Sequence, residues 1–209
     1  MFFHKTPAPA RWLFPSLLWK KKTNNKEIYL TFDDGPIPGL TEYILDVLKD
    51  YNVKATFFCV GENIKKNKSI AERALREGHR LGNHSYNHCN GWQTSTIDYI
   101  SNVVRCQRHL LDLHDHDVKP LFRPPYGKMK LSQIKLLKKK YQIVMWDVLS
   151  GDFLNDMEPE VCLKKSIKAT GKGSIVIFHD NIKAEENVKY SLSRYIKHFL
   201  DKGYSFKTL

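Results

Sequence analysis

The stretch Glu27-Ile28-Tyr29-Leu30-Thr31-Phe32-Asp33-Asp34-Gly35-Pro36 runs a strand-like apolar segment into two adjacent carboxylates and then into a turn. Neighbouring carboxylates repel each other, so a chain that keeps Asp33 beside Asp34 commonly uses the pair for a cation or for proton transfer. Asp-Asp-Gly-Pro is also typical of a plain turn. The stretch alone supports both interpretations, and the segments that follow it have to decide between them.

Beyond Glu27 the pattern alternates between strands and helices. Apolar runs predict strands over 28–32, 54–60, 79–82, 120–122, 142–148 and 173–178, and helical spacing predicts helices over 41–51, 69–77, 94–113, 131–140, 159–169 and 188–200. Such alternation predicts parallel strands joined by crossovers, in a barrel or a doubly wound sheet. Both architectures place functional side chains on loops that leave the carboxyl ends of strands.

The length of 209 residues is enough for one well-buried domain. No linker or internal repeat divides the chain. Residues 1–26 are rich in proline and lysine, and we expect them to form an extended N-terminal arm whose tryptophans and Phe14 pack against a single domain over residues 27–209.

The formal net charge of +12 could attract a polyanion such as nucleic acid or an anionic membrane. The lysines are scattered, however, with short clusters only at 20–22 and 138–140, and no basic stripe interleaved with aromatic residues is visible. A solvated basic surface is the preferred interpretation, and no nucleic-acid partner is expected.

The four cysteines, Cys59, Cys89, Cys106 and Cys162, lie far apart, which argues against a zinc knuckle or a redox pair. Cys59 lies in an apolar run and is expected to be a small buried hydrophobe. The N-terminal residues show no secretory apolar region, and no run approaches the ~20 apolar residues of a membrane helix. We therefore expect no transmembrane segment and a cytoplasmic protein by default, with export by another route left open.

Further polar clusters follow the predicted strands. His84-Ser85-Tyr86-Asn87-His88 carries two histidines four residues apart, a spacing that puts both imidazoles on one side of a helical turn. Alone, that spacing is as consistent with a surface coincidence as with a metal site. Together with Asp34 the set offers two nitrogens and one carboxylate, which suits a divalent ion that keeps a position open for water.

Three more clusters complete the pattern: Arg123-Pro124-Pro125-Tyr126-Gly127, Trp146-Asp147-Val148-Leu149-Ser150-Gly151-Asp152-Phe153 and Ile177-Phe178-His179-Asp180. The two prolines would fix the loop that aims Arg123. Each cluster also has a plain interpretation, as an arginine over a stiff loop, an acidic loop or a hydrogen-bonded histidine at the rim of a sheet. Their recurrence at successive strand ends favours the functional interpretation.

In their order along the chain, the five clusters resemble the motifs of the polysaccharide deacetylases, also called the NodB homology domain or carbohydrate esterase family 4. The resemblance covers the chain from about Glu27 onward. It implies an α/β fold, a single-domain deformed (β/α) barrel, and metal-dependent removal of acetyl from sugar N-acetyl and sometimes O-acetyl groups. The implied cofactor is a divalent metal, Zn²⁺ first, with Co²⁺ or Ni²⁺ as alternatives.

The resemblance also implies roles for individual residues. Asp33 matches the general base of the family, and Arg123 matches the residue that holds the base in place. The metal ligands are matched by Asp34, His84 and His88.

The remaining roles concern the acid and the pocket. His179 matches the general acid and Asp152 its carboxylate partner, while Tyr126 matches the residue whose backbone N–H helps to bind the oxyanion. Four residues are expected in the substrate pocket: Trp146, Ile177, Phe153 and Pro124. Phe153 stands where the family often has tryptophan, and Ile177 where it usually has leucine. Both changes keep the apolar character and alter the shape, which bears on substrate choice.

The expected activity is that of a hydrolase acting on carbon–nitrogen bonds, other than peptide bonds, in linear amides. Its expected substrate is a GlcNAc-containing glycan such as peptidoglycan fragments or a chitooligosaccharide. An O-acetyl esterase acting on a xylan-like glycan is one alternative, and a non-catalytic glycan-binding domain is another. The second alternative is disfavoured because the whole set is intact: Asp33, Asp34, His84, His88, Arg123 and His179. His114-Asp115-His116 is expected to be a solvated helix end, and the oligomeric state is left open.

Overall fold

The computed structural model describes residues 3–113 and 119–209, so His114-Asp115-His116 lies outside the described residues. The strands are β1 (Glu27–Asp33), β2 (Thr56–Cys59), β3 (Arg80–Asn83), β4 (Leu121–Phe122), β5 (Gln142–Ile143), β6 (Val148–Leu149), β7 (Ile175–His179) and β8 (Ser205–Phe206). The α-helices are α1 (Ala8–Leu13), α2 (Leu40–Asp50), α3 (Gly61–Lys66), α4 (Lys68–Arg76), α5 (Thr96–Leu111), α6 (Leu131–Leu137), α7 (Pro159–Ala169) and α8 (Glu185–Asp201). Short 3₁₀ turns cover Pro125–Gly127 and Ile182–Ala184.

The strands form one parallel sheet, which confirms the expected α/β class and the curled, barrel-like architecture. Their order is β5-β4-β3-β2-β1-β7-β6, and β8 pairs with the first residues of β1. Strand β1 lies at the centre of the sheet. Its two neighbours, β2 and β7, both run parallel to it, and helices lie on the connections between the strands. Such strands are buried on both faces, and residues 28–33 of β1 are all buried.

The register of the strands decides which side chains meet. Asp33 at the end of β1 is aligned with His179 at the end of β7. Asn83, which ends β3, is aligned with Phe122, which ends β4. The residues that follow these strands therefore emerge at the same carboxyl edge of the sheet.

Aromatic and branched side chains hold the sheet against the helices. Phe32 of β1 stacks on Phe57 of β2 with ring centroids 5.0 Å apart, and Phe178 of β7 meets Tyr195 of α8 edge-on at 5.5 Å. Ile44 of α2 is fully buried in the same core. Burial of one such side chain contributes about 1.5–3 kcal/mol. This packing gives the carboxyl edge a rigid base.

The N-terminal arm, described from residue 3 to residue 26, runs along the gap between β5 and β6. Its backbone N–H at Leu18 donates to Ile143 at 2.9 Å, and its N–H at Thr6 donates to Asp147 at 2.9 Å. The Asp147 carboxylate is fully buried and accepts hydrogen bonds from Lys5 Nζ at 2.7 Å and from Ser174 Oγ at 2.6 Å. The arm is thus tied to the sheet by backbone hydrogen bonds and by an ion pair between the partly exposed Lys5 and the buried Asp147.

The packing of the arm's aromatic residues differs from the expectation at one position. Phe14 and Trp19 pack against the core, and Trp19 Nε1 donates to the Phe14 carbonyl at 3.0 Å. Trp12, however, is 79% exposed, so the expectation that all the tryptophans pack on the domain is wrong. Trp12 belongs to α1, a helix with no buried residue, which explains why its ring faces solvent.

Two elements of the structure also differ from the prediction. The single strand predicted over 142–148 is wrong, because Met145 N–H donates to Leu18 of the arm and the chain leaves the sheet between β5 and β6. Helix α3 was not predicted, since it begins at Gly61 without a side-chain cap. Its first amides instead donate to the carbonyls of Ser85 and Tyr86, a tertiary contact that local sequence does not reveal.

Cys59 is 3% exposed, which confirms its expected burial. Across the described parts of the chain, we find no helix with the length and apolar character needed to cross a bilayer.

Candidate active site

The carboxyl edge of the sheet opens into a cleft of about 690 Å³. The cleft is lined by nine of the residues singled out in the sequence: Asp33, Asp34, His88, Pro124, Tyr126, Trp146, Phe153, Ile177 and His179. The other three, His84, Arg123 and Asp152, are buried. The folding of the strands therefore gathers the expected site residues at one place.

Asp33 and Arg123 form a buried ion pair. Arg123 Nη1 donates to Asp33 Oδ1 at 2.6 Å and to Thr31 Oγ1 at 2.7 Å, and Nη2 donates to the Met145 carbonyl at 3.1 Å. The guanidinium also lies over the ring of Phe58 at 4.0 Å. A charge that is removed from water is tolerated only when it is paired and hydrogen-bonded. The bonds of Arg123 therefore hold the Asp33 carboxylate in one orientation.

Asp34, His84 and His88 converge on one point. Asp34 Oδ1 lies 3.1 Å from His88 Nε2 and 3.5 Å from His84 Nε2, and the three donor atoms all lie within 4.8 Å of one another. His84 Nδ1 donates to the Arg123 carbonyl at 2.8 Å, so the lone pair of a neutral ring is on Nε2. Burial lowers the pKa of His84 to about 4, which keeps the ring neutral at neutral pH.

This arrangement fits a divalent cation. Asp34 Oδ1 is buried and accepts no hydrogen bond of ordinary geometry within the residues that the structure describes. It faces the His84 Nε2 lone pair, and two electron-rich atoms this close repel each other unless a cation lies between them. Two imidazoles and one carboxylate are also the donor set of many catalytic zinc sites. The residues present could therefore hold a divalent metal.

The two histidines do not lie on a helical turn, so the predicted local structure is wrong. Ser85 has φ 64° and His88 has φ 55°, both in the left-handed region. The Ser85 N–H donates to Asn83 Oδ1 at 2.9 Å, and the Tyr86 N–H donates to Asn102 Oδ1 at 2.7 Å. These side-chain acceptors replace the carbonyls that a helix would use. The rings still meet, with centroids 5.0 Å apart.

The loop after β1 is fixed from several sides. Asp34 has φ 92°, and its carbonyl accepts a hydrogen bond from Asn63 Nδ2 at 2.8 Å. The Gly35 N–H donates to Asp180 Oδ1 at 2.8 Å, and Thr41 Oγ1 donates to Asp180 Oδ2 at 2.7 Å. Burial raises the pKa of Asp180 to about 8. Asp180 thus joins the loops after β1 and β7.

His179 and Asp152 form the second charged pair of the site. His179 Nδ1 donates to Asp152 Oδ1 at 2.8 Å, and the His179 backbone N–H donates to Asp152 Oδ2 at 2.6 Å. Burial disfavours the charged imidazolium, but the Asp152 carboxylate outweighs this cost, and the pKa of His179 is raised to about 9. Phe153 meets the His179 ring edge-on at 4.9 Å. At neutral pH, His179 therefore carries a proton on Nε2 that is not needed for its bond to Asp152.

Tyr126 lies in the loop after β4 and has φ 58°. The loop is closed by backbone bonds from Gly127 to Pro124 at 3.0 Å and from Lys128 to Pro125 at 3.1 Å. The Tyr126 hydroxyl lies 3.1 Å from His88 Nδ1, a contact that the sequence did not predict. The role of the Tyr126 backbone N–H in binding an oxyanion stays a prediction.

The cluster from Trp146 to Phe153 divides its two carboxylates between different places. Asp152 is bonded to His179, whereas Asp147 is bonded to Lys5 and Ser174 at the arm. Trp146, next to Asp147, lines the cleft. Only one of the two carboxylates of this cluster therefore belongs to the site.

The chain is similar in sequence to known deacetylases. A family model described as polysaccharide deacetylase matches residues 20–144. A peptidoglycan-N-acetylglucosamine deacetylase of Bacillus cereus is 34% identical over 188 residues, which cover 89% of this chain and 68% of the relative. The deacetylase PgdA of Listeria monocytogenes is 33% identical over 192 residues, which cover 90% of this chain but only 39% of the longer relative.

A solved structure gives the same result. The crystal structure of the Bc1960 peptidoglycan N-acetylglucosamine deacetylase in complex with 4-naphthalen-1-yl-N-oxidanyl-benzamide superposes with a TM-score of 0.89 at 31% identity. The match covers 98% of this chain and 95% of that one. The chain therefore belongs to the polysaccharide deacetylase family, a class of hydrolases that act on amide bonds.

Proposed function

We propose that the chain is a metal-dependent N-deacetylase of GlcNAc-containing glycans, with Zn²⁺ as its ion. The observation that carries the proposal is the alignment of Asp33 with His179 across β1 and β7. Asp33 is paired with the guanidinium of Arg123, and His179 is paired with the carboxylate of Asp152. Two titratable groups held in opposite environments are suited to act as base and acid in one reaction.

The base side of the reaction begins with water. An amide carbonyl is a poor electrophile and water is a poor nucleophile. A divalent ion held by Asp34, His84 and His88 would polarise the acetyl carbonyl and lower the pKa of water from about 15.7 to about 7. Asp33 would accept the proton of the attacking water, while Arg123 offsets the charge of the carboxylate and keeps it in place.

The acid side completes the reaction. The backbone N–H of Tyr126 would stabilise the tetrahedral oxyanion, a contribution of roughly 3–4 kcal/mol per donor in other enzymes. His179, protonated at neutral pH because its pKa is raised to about 9, would give its Nε2 proton to the departing amine. An amine leaves far less readily than an alcohol, so a protonated acid at this position favours amide over ester substrates.

The residues that line the cleft favour an anionic glycan as the substrate. One wall is apolar and suits the methyl of an acetyl group: Trp146, Phe153 and Ile177. Lys128 and Lys183 line the cleft from the loops after β4 and β7, and the Lys128 ammonium lies 5.2 Å from the ring of Trp92. Cations at a cleft attract carboxylates. Peptidoglycan carries carboxylates on its lactyl and peptide groups, whereas chitooligosaccharides are neutral, so peptidoglycan is the favoured substrate.

An acetate-release assay tests the proposal. Purified protein is incubated with peptidoglycan fragments, chitooligosaccharides and acetylated xylan, with added Zn²⁺ or Co²⁺ and separately with a chelator. We expect acetate from the N-acetylated glycans, loss of activity with the chelator, and a loss of at least about 100-fold in Asp33→Asn. Asp50→Asn, an exposed change at the end of α2, serves as the matched control and should leave activity unchanged.

Two outcomes would contradict the proposal. Release of acetate from acetylated xylan alone would make the chain an O-acetyl esterase. Absence of acetate from every glycan, with Asp33→Asn indistinguishable from the unmodified protein, would make it a glycan-binding domain without catalysis.

A further inference from the structure

Asn181 follows β7 by two residues and lies outside the clusters singled out in the sequence. Its Nδ2 donates to Asp34 Oδ2 at 2.5 Å, and its Oδ1 accepts the Ala184 backbone N–H at 3.1 Å. Because a backbone N–H can only donate, it fixes which end of the amide is oxygen. The nitrogen of Asn181 therefore has to face the Asp34 carboxylate.

This contact gives the two carboxylate oxygens of Asp34 different partners. Oδ2 is held by Asn181, and Oδ1 is left to face His88 Nε2 at 3.1 Å and His84 Nε2 at 3.5 Å. Asp34 also has φ 92°, a backbone conformation that is strained in a residue other than glycine and persists only where neighbours hold it. Asn181 is one of those neighbours, and it acts on the carboxylate itself.

We propose that Asn181 is a positioning residue that presents Asp34 Oδ1 to a divalent metal and thereby sets the metal affinity of the site. The inference rests on the metal-dependent function proposed above. Partners that hydrogen-bond a ligating carboxylate typically change metal affinity by about 10–100-fold when they are removed. Because Asn181 lies two residues beyond His179, it also ties the strand end that carries the acid to the loop that carries the metal ligand.

Asn181 has a second role that must be separated from the first. Its Oδ1 caps the 3₁₀ turn Ile182–Ala184, and loss of a cap lowers stability. Serine is also a good cap but is too short to reach Asp34. Asn181→Ser should therefore keep the cap and lose the contact with Asp34, whereas Asn181→Ala should lose both.

The test is a titration of the metal-free protein with Zn²⁺ and with Co²⁺, measured by competition against a chromogenic chelator and by the visible spectrum of Co²⁺. We expect both Asn181→Ser and Asn181→Ala to bind each ion about 10–100-fold more weakly than the unmodified protein. The activity of Asn181→Ser should fall at limiting Co²⁺ and recover as Co²⁺ is raised.

Asn67→Ser is the matched control. Asn67 Nδ2 donates to the Pro36 carbonyl at 3.0 Å, so it holds the same loop without touching the Asp34 carboxylate. This variant should bind metal as the unmodified protein does.

The outcomes are distinguishable. If the unmodified protein binds and hydrolyses but Asn181→Ser keeps full metal affinity, Asn181 is only a cap and the inference is overturned, while the proposed function stands. An unmodified protein that binds neither ion would overturn both.

Discussion

Gly35 lies so close to Asp180 that a Cβ at position 35 would stand 1.7 Å from Asp180 Oδ2. The same carboxylate accepts the hydrogen bonds of the Gly35 N–H and the Thr41 hydroxyl. The loop that carries Asp34 is therefore packed directly against the loop after β7. A side chain at position 35 would push the two loops apart.

Gly35→Ala should therefore lower both stability and activity. Overpacking of this kind costs about 1–3 kcal/mol, and displacement of the Asp34 loop should also weaken metal binding. Urea denaturation and acetate release measure the two effects. Gly171→Ala is the control, since no heavy atom lies within 4 Å of its added Cβ. Equal behaviour of the two variants would contradict the packing argument.

Arg123→Met should be strongly destabilising, because it leaves the buried Asp33 carboxylate without its partner. Breaking a buried ion pair from one side costs about 3–5 kcal/mol. The double variant Arg123→Met with Asp33→Asn removes the uncompensated charge and should recover part of that loss. Urea denaturation of both single variants and the double variant measures the coupling between the two residues. Strictly additive effects would show that the pair is not coupled.

The pH dependence of kcat should follow the protonation of the His179 imidazole. The imidazolium is the form that can give a proton, and it is present below the pKa, so kcat should fall as the pH rises through about 9. Asp152→Asn removes the carboxylate that raises this pKa, so the alkaline decline should move to lower pH and kcat at neutral pH should fall. Ser150→Ala removes the hydrogen bonds of an uncharged hydroxyl with Asp152 but leaves the carboxylate in place, so it should shift the decline less than Asp152→Asn. An unchanged alkaline decline in Asp152→Asn would exclude His179 as the acid.

Asp147→Asn should weaken substrate binding although Asp147 lies outside the site. The arm's Thr6 side chain donates to the Trp146 carbonyl at 2.7 Å, so loosening the arm should move the Trp146 wall and raise KM more than it lowers kcat. The cost in stability should be about 1–3 kcal/mol, since the partner Lys5 is partly exposed to water. Glu160→Gln, in an exposed pair with Lys164, is the control. An unchanged KM in Asp147→Asn would show that the arm does not hold the Trp146 wall of the cleft in place.

Much of the site could be predicted from the sequence, because parallel strands bring their carboxyl ends to one edge. Asp33 and His179 lie far apart in the chain, yet each ends an apolar run, and they become register partners. Strand ends and residue types carry that information locally. The class of fold could therefore be predicted without coordinates, and so could the edge of the sheet at which the expected site residues meet.

The features that the sequence did not predict depend on contacts between residues far apart in the chain or on side chains that show no periodicity. Asp147 lies close to Asp152 in sequence, which predicts a shared cluster, but its partner Lys5 is 142 residues away. The loop that carries the two histidines is held by the side chains of Asn83 and Asn102, which accept the backbone N–H groups of Ser85 and Tyr86, and no periodicity reveals these contacts. Asn181 gave no signal, since a single asparagine after a strand is typical of any turn.

The contacts of the N-terminal arm also bear on how the cleft forms during synthesis. The arm is synthesised before its partner segment, because the bond between His4 and Leu149 joins residues 145 positions apart. A ribosome adds about 5–20 residues per second, so the arm waits on the order of 10 s for its partner segment. Contacts of such separation also slow the folding of the finished chain. The wall that carries Trp146 and Leu149 should thus be among the last parts of the sheet to close, and the cleft can form only after these residues have been synthesised.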